Sequence, residues 1–187
     1  MDLKKRMQEH QVAVNGLIND PAKLAVIKKM AEICKTAIQY DHKILLCGNG
    51  GSAADSQHIA AEFVGRFVKE RCGLPAIALT TDTSILTAIG NDYGYNEVFR
   101  RQVKALGRKG DVLIGISTSG NSVNVVKAFE QAVKQGITTL AFTGAKESKM
   151  SELADVTIRV PAPVTARVQE CHIMIGHIIC EAVDEDY

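Results

Sequence analysis

Ser117-Thr118-Ser119-Gly120-Asn121-Ser122 packs four hydroxyls and a glycine into six residues, directly after an apolar run and ahead of a helical pattern. The free N–H groups of a helix start, the helix dipole and such hydroxyls form an uncharged cradle for a phosphate dianion. A plain N-cap needs only one Ser, Thr or Asn. The surplus points to phosphate. A second polar loop, Gly48-Asn49-Gly50-Gly51-Ser52, also follows an apolar run. Its glycines let the backbone approach a ligand closely. The spacing Gly48-x-Gly50-x-x-Ala53 fits a relaxed dinucleotide-binding pattern, but the acidic residue that should end the second strand comes late, in Thr80-Thr81-Asp82. A tight strand-to-helix turn without a ligand stays open for this loop.

Beyond the second loop, His58 and Glu62 stand at i, i+4 and share one helix face. That spacing suits a metal ion or an imidazole–carboxylate couple, and equally a surface contact. Gln169 and His177 interrupt an otherwise apolar carboxyl-terminal helix, where a histidine alone reads as a core or interface residue. His172, on the same helix, is expected to pack or hydrogen-bond. Gly176 costs about 1 kcal/mol in mid-helix and so signals a close helix contact beside His177.

Five short apolar runs, 43–47, 75–79, 111–116, 138–142 and 156–160, must carry these loops. Helical stretches near 52–67, 121–135, 146–153 and 163–183 separate or follow them. Strands apolar throughout and divided by helices predict a parallel sheet covered on both faces, a three-layer α/β/α domain. Ahead of it, residues 1–40 read as a helical hairpin, with Asp20 as N-cap and Pro21 at the first position of its second helix. Ligands in such folds sit beyond the carboxyl ends of the strands. Both polar loops fall there.

The bulk properties agree. A chain of 187 residues with 46% hydrophobic content holds one core, and no linker or repeat divides it. Lys and Arg (22) balance Asp and Glu (21), so no basic field serves nucleic acid or an anionic membrane. The five cysteines are scattered without a CxxC pair and read as free thiols of a reducing cytoplasm, Cys47 as core. The polar start lacks the apolar stretch of a signal peptide.

Taken together, these residues resemble the sugar isomerase (SIS) domain, a flavodoxin-like fold, and within it the phosphoheptose isomerases. The matching segments are Cys47-Gly-Asn-Gly-Gly-Ser52, Gln57-His58-Ile-Ala-Ala-Glu62-Phe-Val-Gly-Arg66, Gly90-Asn91-Asp92, Gly115–Ser122, Gln169-Glu-Cys-His172 and His177. They cover essentially the whole chain. The resemblance implies a five-stranded parallel sheet in one domain over 1–187, with the hairpin in an oligomer interface. It implies one zinc ion per subunit, held by His58, Glu62, Gln169 and His177, and a homotetramer with active sites between subunits. Glu62 and His177 are implied as catalytic. Ser117, Thr118, Ser119 and Ser122 would hold phosphate, Asn49, Gly50, Gly51, Ser52 and Gln169 the sugar, and Asn91 and Asp92 its hydroxyls.

The implied reaction converts sedoheptulose 7-phosphate into D-glycero-D-manno-heptose 7-phosphate through an enediolate. Geometry adds one expectation. Gln169 and His177 are separated by about 12 Å of helix rise, so either they meet on one ion only at nearly full extension or they come from different subunits. The tetramers of the resembled family imply the second, with His177 or Gln169 completing a neighbour's site. The competing readings are a non-catalytic relative that binds a replication-initiator partner, a sugar-sensing regulator and a dinucleotide-dependent oxidoreductase.

Overall fold

The computed structural model describes residues 2–187. Helices α1 (Leu3–Ile18) and α2 (Pro21–Gln39) form the expected hairpin. Asp20 caps α2 by accepting from the Ala22 and Lys23 N–H groups, and Pro21 sits where a missing N–H costs nothing. Then β1 (Ile44–Gly48), α3 (Gly51–Val64) and β2 (Ala76–Ala78) follow. After them come α4 (Thr83–Tyr93), a 3-10 turn (Tyr95–Glu97) and α5 (Val98–Leu106). The chain closes with β3 (Val112–Ile116), α6 (Val123–Gln135), β4 (Thr138–Gly144), α7 (Lys149–Leu153), β5 (Val156–Val160) and α8 (Thr165–Asp184).

All five strands are parallel, in the order β2-β1-β3-β4-β5. This is the flavodoxin-like order, and the reversal between β1 and β3 opens a crevice at their carboxyl ends. The glycine loop leaves β1 and the serine loop leaves β3, so the two flank that crevice. Alternate strand residues feed two cores, which explains why the runs are apolar throughout. Ile44, Leu46, Ile114 and Phe142 pack with α1, α2, α3 and α8. Leu45, Cys47, Leu113 and Ala141 pack with α5 and α6.

Two features differ from expectation. Helix α4, which the sequence pattern did not show, runs through Gly90 to Tyr93, so Asn91 and Asp92 lie in its last turn. Helix α5 was not foreseen. Its inward residues Val98, Phe99, Gln102 and Val103 recur at helical spacing, with Arg100, Arg101 and Lys104 on the opposite face, a periodic signal present in the sequence.

Candidate active site

Gly48 ends β1 where a Cβ would lie 2.8 Å from Ser52 Cβ and 2.9 Å from Ile116 O, so only glycine lets the two strand ends approach. Gly50, at φ +57°, turns the chain into α3, and no side chain caps the helix start there. Its first N–H groups stay available to a ligand. Asn49 faces across the crevice and exchanges two hydrogen bonds with Asn124 on α6: Asn49 Nδ2 donates to Asn124 Oδ1 at 2.9 Å, and Asn124 Nδ2 to Asn49 Oδ1 at 2.8 Å. This reciprocal pair fixes the glycine loop against the serine loop.

In the serine loop, the Ser117 hydroxyl lies 3.0 Å from that of Ser122 and 3.4 Å from that of Ser119. Gly120 takes φ +64° and turns the loop back on itself. Its Cβ position is filled by Ser148, whose Oγ lies 2.1 Å away. Ser122 is the N-cap residue of α6, yet its hydroxyl makes no capping bond. The hydroxyls therefore converge on one another and on an uncapped helix start, as a phosphate cradle requires.

Helices α3 and α8 pack side by side. Where they touch, His58 Nε2 comes within 2.9 Å of His177 Nε2 and 3.2 Å of Glu62 Oε1. One donor atom from each of the three lies within 4.8 Å of the others. Phe67 lies against the His177 ring at 5.5 Å between centroids. A tetrahedral zinc ion with bonds near 2.0–2.1 Å sets its donors roughly 3.3 Å apart. The three side chains fit such an ion, and two imidazoles with one carboxylate match the donor set of catalytic sites, which leave a position open.

Gln169 is not in this cluster. It sits eight residues earlier on α8, where Gly51 has no Cβ because one would lie 2.8 Å from the Gln169 amide. There Gln169 Nε2 donates to Asp55 Oδ1 at 3.2 Å. His177 meets His58 and Glu62 of its own chain, and the four expected ligands do not all come together within one chain. Gln169 likewise faces its own glycine loop, because the helix rise carries it away from His177. Asn91 and Asp92 are exposed at the end of α4; Asn91 donates to Asp92 at 2.8 Å, and no hydrogen bond joins either to the two loops among the described residues.

Asp55 was missed. Burial raises its carboxyl above the ordinary value, against the Gln169 hydrogen bond and the nearby His58, and its Oδ2 has no partner. The signal was present: Asp55, His58 and Glu62 at i, i+3, i+7 form one stripe on α3. His172 behaves as read, buried with Nε2 against the Thr143 carbonyl at 3.1 Å, and burial pulls it down to about 4. Burial pushes the Cys34 and Cys47 thiols up to about 12, which removes them as nucleophiles.

Comparison with known proteins agrees with this geometry. Residues 19–144 match the family model described as SIS domain. The phosphoheptose isomerase of Aneurinibacillus thermoaerophilus is 52% identical over 183 residues, 98% of this chain and 92% of the relative. That of Burkholderia pseudomallei is 54% identical over 176 residues, 94% of this chain and 89% of the relative. The solved structure of phosphoheptose isomerase GmhA from Neisseria gonorrhoeae superposes with a TM-score of 0.92 at 45% identity, covering 98% of this chain and 97% of that one. Fold, loops and sequence agree: the chain belongs to the phosphoheptose isomerase family of SIS-domain proteins.

Proposed function

We propose that this chain isomerises sedoheptulose 7-phosphate to D-glycero-D-manno-heptose 7-phosphate, an early step toward nucleotide-activated heptose. The observation that carries the reading is the meeting of His58, Glu62 and His177 where α3 and α8 touch, in a chain that also carries a hydroxyl cradle for phosphate at the start of α6. Ser117, Thr118, Ser119 and Ser122 bind the phosphate at the start of α6, and Asn49, Gly50, Gly51, Ser52 and Gln169 bound the sugar. Asn91 and Asp92 reach the sugar hydroxyls from the end of α4. Glu62 removes the proton from the carbon beside the carbonyl and returns it to the neighbouring carbon. His177 moves the hydroxyl proton between the two oxygens. His58, Glu62 and His177 would hold a zinc ion, which would supply a Lewis acid for the sugar carbonyl.

The reading includes a homotetramer in the cytoplasm with sites between subunits. Glu62 lies eleven residues along α3 from Gly51, about 16 Å of rise, so one chain holds its acid–base group well away from its own loops. Helix α4 buries no residue, and Leu3, Met7 and Val12 on α1 are exposed, which leaves apolar faces for further copies. No helix is long and apolar enough to cross a membrane. The partner-binding alternative draws no support from the relatives, which are isomerases by name.

The test is NMR of sedoheptulose 7-phosphate incubated with zinc-loaded protein, with Glu62→Gln alongside. Aldoheptose phosphate formed by the parent and lost in the variant is the expected result. An inert parent, folded and metal-loaded, refutes the reading.

A further inference from the structure

Helix α3 ends two residues after Glu62, and the carbonyls of a last helical turn lack intrahelical partners. One side chain takes them. Arg71 donates through one terminal nitrogen to Glu62 O at 3.0 Å, and through the other to Phe63 O and Cys72 O, both at 3.0 Å. Its Nε donates to Asp184, the last residue of α8. The second Asp184 oxygen accepts from the Val68 and Lys69 N–H groups, at 2.9 and 2.6 Å. Both side chains are almost wholly buried, at 1% and 2% exposure.

The placement of these contacts matters more than their number. Asp184 stands two turns beyond His177 on α8, so the guanidinium joins the carboxyl ends of the two helices that carry the triad. Between them lies the stretch 65–75, which has no helix or strand of its own. That stretch supplies Phe67, whose ring lies against His177, and the next residue, Val68, is the one held by Asp184. One buried pair thus bears on Glu62 through its carbonyl and on His177 through Phe67. A buried ion pair is weak evidence for stability, since apolar residues of similar volume often serve as well. Its planar, multidentate fork is what a flexible ammonium or an apolar group cannot reproduce.

We propose that Arg71, clamped by Asp184, is a positioning residue that sets Glu62 and His177 in register for proton transfer. This rests on the isomerase reading and adds residues to it that touch neither substrate nor metal. The test compares the parent, Arg71→Lys and the double variant Arg71→Met/Asp184→Leu. The lysine keeps the charge toward Asp184 and loses the fork; the double variant replaces the pair by apolar volume. Each is measured for Tm, for kcat and KM on sedoheptulose 7-phosphate, and for the visible spectrum of bound cobalt(II).

The expected result is a Tm close to the parent's, KM within about threefold, kcat down about 10–100-fold and an altered cobalt spectrum in every variant that folds. Parental kcat and spectrum in either folded variant overturns the proposal. So does failure of both variants to fold, because the pair would then hold the fold as a whole and not one geometry. An inert parent, by contrast, defeats the isomerase reading, and the cobalt spectra still decide whether the pair sets the triad.

Discussion

Replacing Gly176 by alanine tests whether the contact between α3 and α8 sets the site. Gly176 is buried in mid-helix, and a Cβ there would lie 2.4 Å from Ile59 Cδ1 and 2.7 Å from its Cγ1. Ile59 is itself 1% exposed and follows His58, just as His177 follows Gly176. Two effects oppose. Gly to Ala in a helix interior contributes about 1 kcal/mol of stability. Forcing a methyl into a packed core costs about 1–3 kcal/mol. The net expectation is a loss of about 0–2 kcal/mol, which in a chain of this size lowers Tm by up to about 8 °C. The larger effect falls on rate, because α8 can relieve the clash only by moving away from α3 and carrying His177 from His58 and Glu62. A misplacement of that order costs about 10–100-fold in kcat. Adding Ile59→Val removes the nearer clashing atom, and the pair should recover non-additively toward parental kcat. Thermal denaturation and NMR kinetics on the three variants measure both quantities. Gly176→Ala with a raised Tm and parental kcat would refute the reasoning, since the glycine would then be an unfilled helix position and no more.

Three further outcomes are expected. Ser119→Ala removes one hydroxyl from the phosphate cradle and should raise KM by an amount equivalent to about 1–3 kcal/mol while kcat changes little; an unchanged KM counts heavily against the cradle. Asn124→Leu cuts the reciprocal amide pair to Asn49 and the bond from Val125 N–H to Asn124 Oδ1. It should lower stability by about 1–3 kcal/mol and weaken inhibition by inorganic phosphate, and parental inhibition would show that the loops hold their places without it. For Asp55, burial raises the folded carboxyl above the unfolded value, so the native chain binds that proton more tightly. Its contribution to stability therefore falls as pH rises from about 3.9, the unfolded value, through the raised folded one. Asp55→Asn should flatten Tm against pH in that window, and a slope identical to the parent's would assign the titration elsewhere.

The parallel sheet, its strand positions and the hairpin were legible because each rests on local rules: strands buried on both faces are apolar throughout, and Asp20-Pro21 is a helix start wherever it occurs. The serine and glycine loops were legible for the same reason, as each lies within one short segment. Arg71 was not. Its partners are backbone carbonyls at Glu62, Phe63 and Cys72 and a carboxylate 113 residues away, and no pattern around Arg71 announces them. Asp55 sat in plain view on the face of His58 and Glu62, but its meaning depends on burial against Gln169, a tertiary fact. Asn124 likewise reads as an ordinary first-turn residue until Asn49 is brought to it across the crevice.

Gln169 and His177 illustrate how a distance along one helix gains its meaning from the helix beside it. Eight residues of helix do separate them too far to share one ion with ease. Along α8 they face two points and not one. In fact α3 runs in the same sense alongside it, so the pair of helices offers two successive stations. At the first, Gln169 meets Asp55 next to the glycine loop; at the second, His177 meets His58 and Glu62. Gly51 and Gly176 mark the two stations, since a Cβ on Gly51 would meet the Gln169 amide and one on Gly176 would meet Ile59. The recurrence of a polar residue beside such a contact is what the i, i+4 and i, i+8 spacings encode. The spacing on α8 thus reflects the register of the helix it packs against, and a distance measured along one helix has to be read together with its partner before it assigns residues to chains.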